Sequence, residues 1–189
     1  MIQTNKLNFS LGGPNMQLYH YAKKGNTILS KGILSFAANP KADLHYYQKR
    51  SRATTHQGIV AWMESCFAGR SRGIRCFSEP IAWTNKSIHC LKDFVDECDM
   101  FAIDIDALKK DGLIEAVYVS PPISDFPEIK EKPGMDEILL KLNSVNDIDF
   151  SAVDWNVCDD ATGKRFAFVR YYLLIIKGGI IPPKYIKKV

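Results

Sequence analysis

The chain contains no apolar stretch of the roughly 20 residues that a membrane-spanning helix needs. The segment Met1 to Pro14 also lacks the basic stretch and apolar run of a Sec-type signal. These absences predict no membrane partner. They also predict a protein that is cytoplasmic, or one delivered into a host or target cell by a secretion system that does not read signal peptides. The five cysteines, Cys66, Cys76, Cys90, Cys98 and Cys158, are odd in number and form no CxxC pair, so zinc and dithiol chemistry are not expected. They read as reduced, mostly buried thiols. The four histidines, His20, His45, His56 and His89, stand at no metal-ligand spacing, and no metal is expected. Neither GxGxxG nor GxxxxGK[ST] occurs, so a nucleotide would have to be held by a different architecture from the two common phosphate loops. Internal repeats and low-complexity tracts are absent as well.

The charge balance also lacks a strong bias. Twenty-five Lys and Arg oppose 21 Asp and Glu, leaving +4. That excess suits an anionic ligand such as a dinucleotide and is too small to identify nucleic acid as the partner. The basic residues gather as Lys49, Arg50 and Arg52, and again as Arg70, Arg72 and Arg75, on either side of a predicted helix. Such groups are ordinarily solvated faces. With 46% apolar and 24% charged residues the composition is that of a globular protein. At 189 residues we expect a single domain over 1–189 that folds alone as a monomer, with a polar lead-in over 1–15.

Hydrophobic periodicity then places the elements. Leu18 to Ala22 alternates as a strand, and Thr27 to Leu34 carries a helical turn closed by Gly32. Ala37 to Gln57 reads as a long polar loop or irregular helix of the kind that covers a ligand. Gly58 to Ala68 puts Ile59, Val60, Met63, Cys66 and Phe67 on one helical face, with Gly69 as its stop. Strands are predicted at Ile74 to Ser78, Phe101 to Ile105 and Ala116 to Ser120. A short helix at Asp106 to Lys110, ended by Asp111-Gly112, follows the second of these. Phe166 to Ile176, the longest apolar run, reads as one central strand. Strands interrupted by brief helices without a regular βαβ beat predict an α+β fold.

Leu18-Tyr19-His20-Tyr21, followed by Ile28-Leu29-Ser30-Lys31-Gly32-Ile33-Leu34, resembles the opening of the ADP-ribosyltransferase superfamily. There, a first-strand His or Arg in an aromatic context precedes a helix ending in a Gly-hydrophobic pair. The resemblance is to the bacterial toxin- or effector-like mono-ADP-ribosyltransferases and implies a split β-sheet core with short helices. It gives His20, with Tyr21 beside it, a place against the nicotinamide half of NAD⁺; a satisfied, partly buried histidine is the rival reading. Arg75-Cys76-Phe77-Ser78-Glu79-Pro80 resembles the family's second element, so Phe77 or Ser78 would line the nicotinamide pocket, unless Phe77 is simply core. Tyr46 and Tyr47 are further stacking candidates. Asp136-Glu137-Ile138-Leu139-Leu140 resembles the third element and makes Glu137 the catalytic candidate, with Glu79 in reserve. Met135 stands where arginine-modifying members carry a second Glu or Gln. An equally simple reading has Asp136 cap a helix with Glu137 in its first turn.

The chemistry explains the residue types. Breaking the nicotinamide–ribose bond builds positive charge on the ribose, which a carboxylate shielded from water stabilises. Aromatic rings stack on nicotinamide, and arginines meet the pyrophosphate; Arg72 and Arg75 are the choice from Arg70, Arg72 and Arg75. The expected function is therefore NAD-dependent transfer of ADP-ribose to a macromolecular acceptor, a protein side chain foremost. Three alternatives stay open: an RNA 2′-phosphotransferase, an NAD glycohydrolase, and a non-enzymatic nucleic-acid-binding module built on Tyr46, Tyr47, Lys49, Arg50 and Arg52.

Overall fold

A computed structural model of the chain describes residues 16–78, 97–120, 139–150, 155–159, 165–169 and 171–189. For 155–159, 165–169, Tyr46, Lys49 and Arg50 it describes the backbone alone. The Leu18-Tyr19-His20-Tyr21 segment lies in strand β1, Gln17–Lys23. Helix α1, Ile28–Lys31, follows, and Gly32 ends it at φ 86°. Strand β2, Ile33–Leu34, comes directly after. A Cβ at Gly32 would stand 2.2 Å from the Ile181 carbonyl oxygen, so both the positive φ and the close backbone approach require glycine there.

The predicted irregular stretch contains helix α2, His45–Ser51, and leads into α3, His56–Cys66. Thr55 caps α3 by accepting the Gly58 N–H at 3.1 Å. Ile59 and Met63 form the buried stripe of this helix, Val60 and Phe67 are half-buried, and Cys66 is exposed. A single turn of 3₁₀ helix at Arg70–Arg72 then delivers the chain to β3, Gly73–Cys76. Strand β4, Cys98–Asp104, has Met100, Phe101, Ala102 and Ile103 buried in succession, which is why it reads as a continuous apolar run. Asp104 ends it by capping α4, Ile105–Lys110, through the Ala107 N–H at 2.9 Å.

The remaining strands are β5 at Ile114–Val119, β6 at Leu140–Lys141, β7 at Trp155–Asp159 and β8 at Arg165–Val169. They continue with β9 at Tyr172–Ile176, β10 at Ile180–Ile181 and β11 at Ile186–Lys188. Two sheets organise the described residues, one in the order β1-β4-β11 and the other β3-β9-β5-β6. Strands β2 and β10 form a small pair, as do β7 and β8, and every pairing among the described residues is antiparallel. Antiparallel sheets with a few short helices make the structure α+β. The predicted single strand over Phe166 to Ile176 is instead two: β8 pairs with β7, and β9 sits between β3 and β5. The apolar run crosses a change of partner, which apolar content does not mark.

Among the described residues the two sheets meet at a bridge between Tyr19 and Phe77, whose backbones exchange hydrogen bonds of 2.7 and 2.8 Å. Both contribute to a common core, with Leu18, Phe101 and Ile103 from the first, and Ile74, Val117 and Leu174 from the second. Tyr172 is fully buried, yet its hydroxyl donates to the Asp149 carbonyl at 3.1 Å and accepts from the Asp149 N–H at 3.2 Å, so burial leaves no polar group orphaned there. No helix among the described residues is long and apolar enough to cross a membrane.

Candidate functional site

Alternation along the four-stranded sheet separates its two faces. The row Ile74, Leu174, Val117 is buried in the core. The adjacent row, Arg75, Leu173, Tyr118, faces the other way. Arg75 and Leu173 of that row line a cavity of about 330 Å³, together with His20 from β1 and Tyr171 just before β9. A second wall comes from the segment after β2, through Ser35, Phe36, Asn39, Ala42, Asp43 and Tyr47. Arg70 and Leu139 line it too, as do Leu34, Met63, Gly73 and Ile74.

His20 is half-buried, and its Nδ1–H donates to the Arg75 carbonyl at 2.9 Å. Because a carbonyl only accepts, the proton belongs on Nδ1, and in the neutral ring Nε2 is left as an acceptor. Desolvation holds the His20 pKa below its ordinary value, against the raising effect of that backbone bond. At neutral pH the cavity therefore presents an uncharged imidazole.

Arg75 places its guanidinium carbon 4.2 Å from the centre of the Tyr171 ring. Arg70 stacks on Trp62 at 5.0 Å and lies 5.8 Å from Phe67, whose ring in turn stacks on Tyr118 at 4.3 Å. The turn carrying Arg70 is held by Glu64. That carboxylate accepts from the Gly69 N–H at 2.7 Å, from the Ser71 N–H at 3.0 Å and from the Ser71 hydroxyl. Desolvation would raise the Glu64 pKa, but these hydrogen bonds and the nearby Arg72 charge outweigh it and keep the group below the ordinary carboxylate value. A 3₁₀ turn rotates about 120° per residue, so residues two apart diverge. Arg70 reaches the cavity, whereas Arg72 pairs with Glu115 at 2.6 Å and is not among the lining residues.

The second wall is pinned locally. The Phe36 ring stacks on His56 at 4.8 Å and meets Tyr47 edge-on at 5.0 Å. The Phe36 carbonyl is 2.8 Å from His56 Nε2, and buried Ser35 donates its N–H to the Gly179 carbonyl at 2.8 Å. Gly179, at φ 71°, has no room for a Cβ, which would stand 2.5 Å from the Ser35 hydroxyl.

Among the residues expected from sequence, the cavity brings together His20, Tyr47 and Arg75. Tyr21, one residue from His20 on β1, lies on the other face of the strand and contacts Phe77 edge-on at 5.7 Å. Phe77 and Ser78 are half-buried and do not line the cavity. Glu79 and Glu137 lie outside the described residues, as does the question of strand or helix at Asp136; Leu139, two residues after Glu137, is a lining residue. Sequence reasoning missed Ser35, Phe36, Asn39, Asp43 and Tyr171, and chose Arg72 over Arg70. The Asn39-Pro40 turn and Asp43 before α2 are the signals that would have singled out part of that wall.

Of the described cysteines, Cys76 is buried, Cys98 half-buried and Cys66 exposed, so mostly buried thiols is a correct expectation for Cys76 only. Cys66 lies in the last turn of α3, on the helical face of Ile59 and Met63 but beyond its buried part. Burial pushes the Cys76 thiol pKa up, the opposite of what a thiolate nucleophile needs. No group of three or more His, Cys, Asp or Glu suited to a metal occurs among the described residues. Comparison of the chain with protein-family models, with curated proteins and with solved structures finds no match.

Proposed function

We propose that the chain is an NAD-dependent ADP-ribosyltransferase, which cleaves the nicotinamide–ribose bond and transfers ADP-ribose to a macromolecular acceptor, a protein side chain foremost. The observation that carries this reading is the convergence of His20, Tyr47 and Arg75 on one cavity from three separate parts of the sequence. Two antiparallel sheets that meet, among the described residues, at the Tyr19–Phe77 bridge are consistent with the split-sheet core that the sequence resemblance implies.

The lining chemistry suits NAD⁺. The neutral His20 Nε2 accepts from a ribose hydroxyl or the nicotinamide amide. Arg70 and Arg75 supply fixed positive charge for the pyrophosphate without a glycine-rich helix start. Tyr47 offers aromatic surface to a planar ring, and Tyr171 backs the Arg75 guanidinium.

In the reaction the bond between ribose C1′ and the nicotinamide nitrogen breaks, and its electron pair neutralises the pyridinium as nicotinamide leaves. The acceptor nucleophile forms the new bond to C1′ and gives up its proton. Glu137 is the proposed carboxylate for the ribosyl cation and the acceptor proton, and Glu79 is its reserve. Two peptide units separate Glu137 from Leu139 in the cavity lining.

The test is to incubate the purified chain with NAD⁺ labelled in the adenylate, separately with protein, DNA, RNA and buffer alone. The proposal expects label in a protein band together with free nicotinamide. Label in nucleic acid, free ADP-ribose without any labelled macromolecule, or no nicotinamide release would each contradict it.

A further inference from the structure

The wall formed by residues 34–47 carries two polar side chains that are each half committed. Asn39 Oδ1 accepts the Lys41 N–H at 3.2 Å, and Asp43 Oδ1 accepts the His45 N–H at 2.9 Å. Each side chain is thus fixed by its own backbone two residues on. A turn closed by the Ala42 N–H donating to the Asn39 carbonyl at 2.9 Å keeps the two close in the chain fold. No described residue accepts from Asn39 Nδ2 or donates to Asp43 Oδ2. Both residues line the cavity, beside the Phe36–Tyr47 aromatic pair. Asp43 is the one carboxylate among the described lining residues.

One donor and one acceptor on the same cavity wall as aromatic surface complement a heterocycle that presents both an acceptor and a donor. The Watson–Crick edge of 6-aminopurine does so, with ring nitrogen N1 beside the exocyclic amine. Resting on the reading that the cavity binds NAD⁺, we propose that Asn39 and Asp43 select the adenine base: Asp43 Oδ2 accepts from the exocyclic amine, and Asn39 Nδ2 donates to the adjacent ring nitrogen. Hypoxanthine reverses both partners, setting its oxygen against the carboxylate and its N–H against the amide. Asn39 cannot answer by rotating its amide, because Oδ1 is held by Lys41. The site should therefore discriminate by polarity as well as by shape.

The test is calorimetric titration of the full chain with NAD⁺, with its hypoxanthine analogue and with its nicotinic-acid analogue. The unmodified protein should bind NAD⁺ at least about tenfold more tightly than the hypoxanthine analogue, the effect of mispairing one solvent-accessible hydrogen bond or more. Asp43→Asn keeps an Oδ1 for the His45 N–H and supplies a donor for the hypoxanthine oxygen. It should reduce that preference by about tenfold, leaving the preference for NAD⁺ over the nicotinic-acid analogue unchanged. Asn39→Ala, made in parallel, should narrow the same ratio. An unchanged adenine preference in both variants, with NAD⁺ still bound, overturns this inference alone. A change in the nicotinic-acid ratio instead assigns the pair to the carboxamide and overturns it too. Failure of the unmodified protein to bind any dinucleotide overturns the NAD⁺ reading as well.

Discussion

The sheet wall of the cavity and the wall formed by residues 34–47 are held in different ways. Arg75 projects from β3, whose opposite face holds the core residues Ile74 and Cys76, and His20 projects from β1 on the same face as the core residue Leu18, both backbones being tied into ladders. The second wall contains little regular structure: its side chains are fixed by Asx turns, by the Tyr47–Phe36–His56 aromatic cluster and by two glycine contacts to the β10 region. A ladder positions a group with little freedom, which suits residues that must meet a reacting centre. Turns and aromatic contacts fix individual side chains while leaving the sequence between them open to change, which suits selection of a ligand.

Gly32→Ala is the most severe way to break the second wall. The positive φ and the approach to the Ile181 carbonyl together should cost about 3 kcal/mol or more, read as a lowered denaturation midpoint. A loss below about 1 kcal/mol would mean that β2 and β10 separate easily and that this wall is not anchored there. Arg70→Ala and Arg75→Ala address the charge that the turn and the sheet each contribute. Either should weaken NAD⁺ binding by about tenfold to a hundredfold, the scale of a charge-assisted hydrogen bond. Arg72→Ala, removing the partner of Glu115, should change that affinity by less than about twofold. Equal effects at Arg70 and Arg72 would contradict the divergence of the turn.

A smaller loss, about fivefold, is expected from Tyr47→Ala in the same titration, with Tyr47→Phe close to unmodified binding because the ring supplies the contact. The smallest effect is in pH. The His20 pKa is lowered in the folded protein, so the unfolded chain binds the proton more readily, and the His20 contribution to stability is complete above about pH 6.5 and falls as the pH drops below it. Melting curves from pH 8 to 5 should therefore converge for the unmodified protein and His20→Gln on the acid side, relative to their separation at pH 8. Parallel curves would contradict the neutral, desolvated imidazole.

Much of the sheet wall was legible in the sequence. Leu18 anchors β1 in the core, β4 carries the run Met100 to Ile103 that is apolar because it is covered on both faces, and Gly32, Gly69 and Gly112 mark real chain reversals at positive φ. The boundary between β8 and β9 was not legible, because Val169-Arg170-Tyr171 contains neither Gly nor Pro and the change of sheet follows from tertiary pairing. Arg70 and Arg72 look equivalent in sequence, and only the 3₁₀ geometry together with Glu115 separates them. Asn39 and Asp43 carried a turn signal whose meaning depends on which cavity the turn borders. Tyr171 joins the site by preceding β9, a position set by long-range pairing with β3 and β5.

The most direct test of NAD⁺ cleavage is the rate of nicotinamide release by the unmodified protein and by Glu137→Gln, in the presence of a protein lysate. The proposal predicts release by the unmodified protein and a loss of at least about 10²-fold in the variant, the scale of one removed electrostatic group, with unchanged melting and NAD⁺ affinity. Equal rates would contradict the assignment of Glu137, and no release from the unmodified protein would contradict the proposed activity itself.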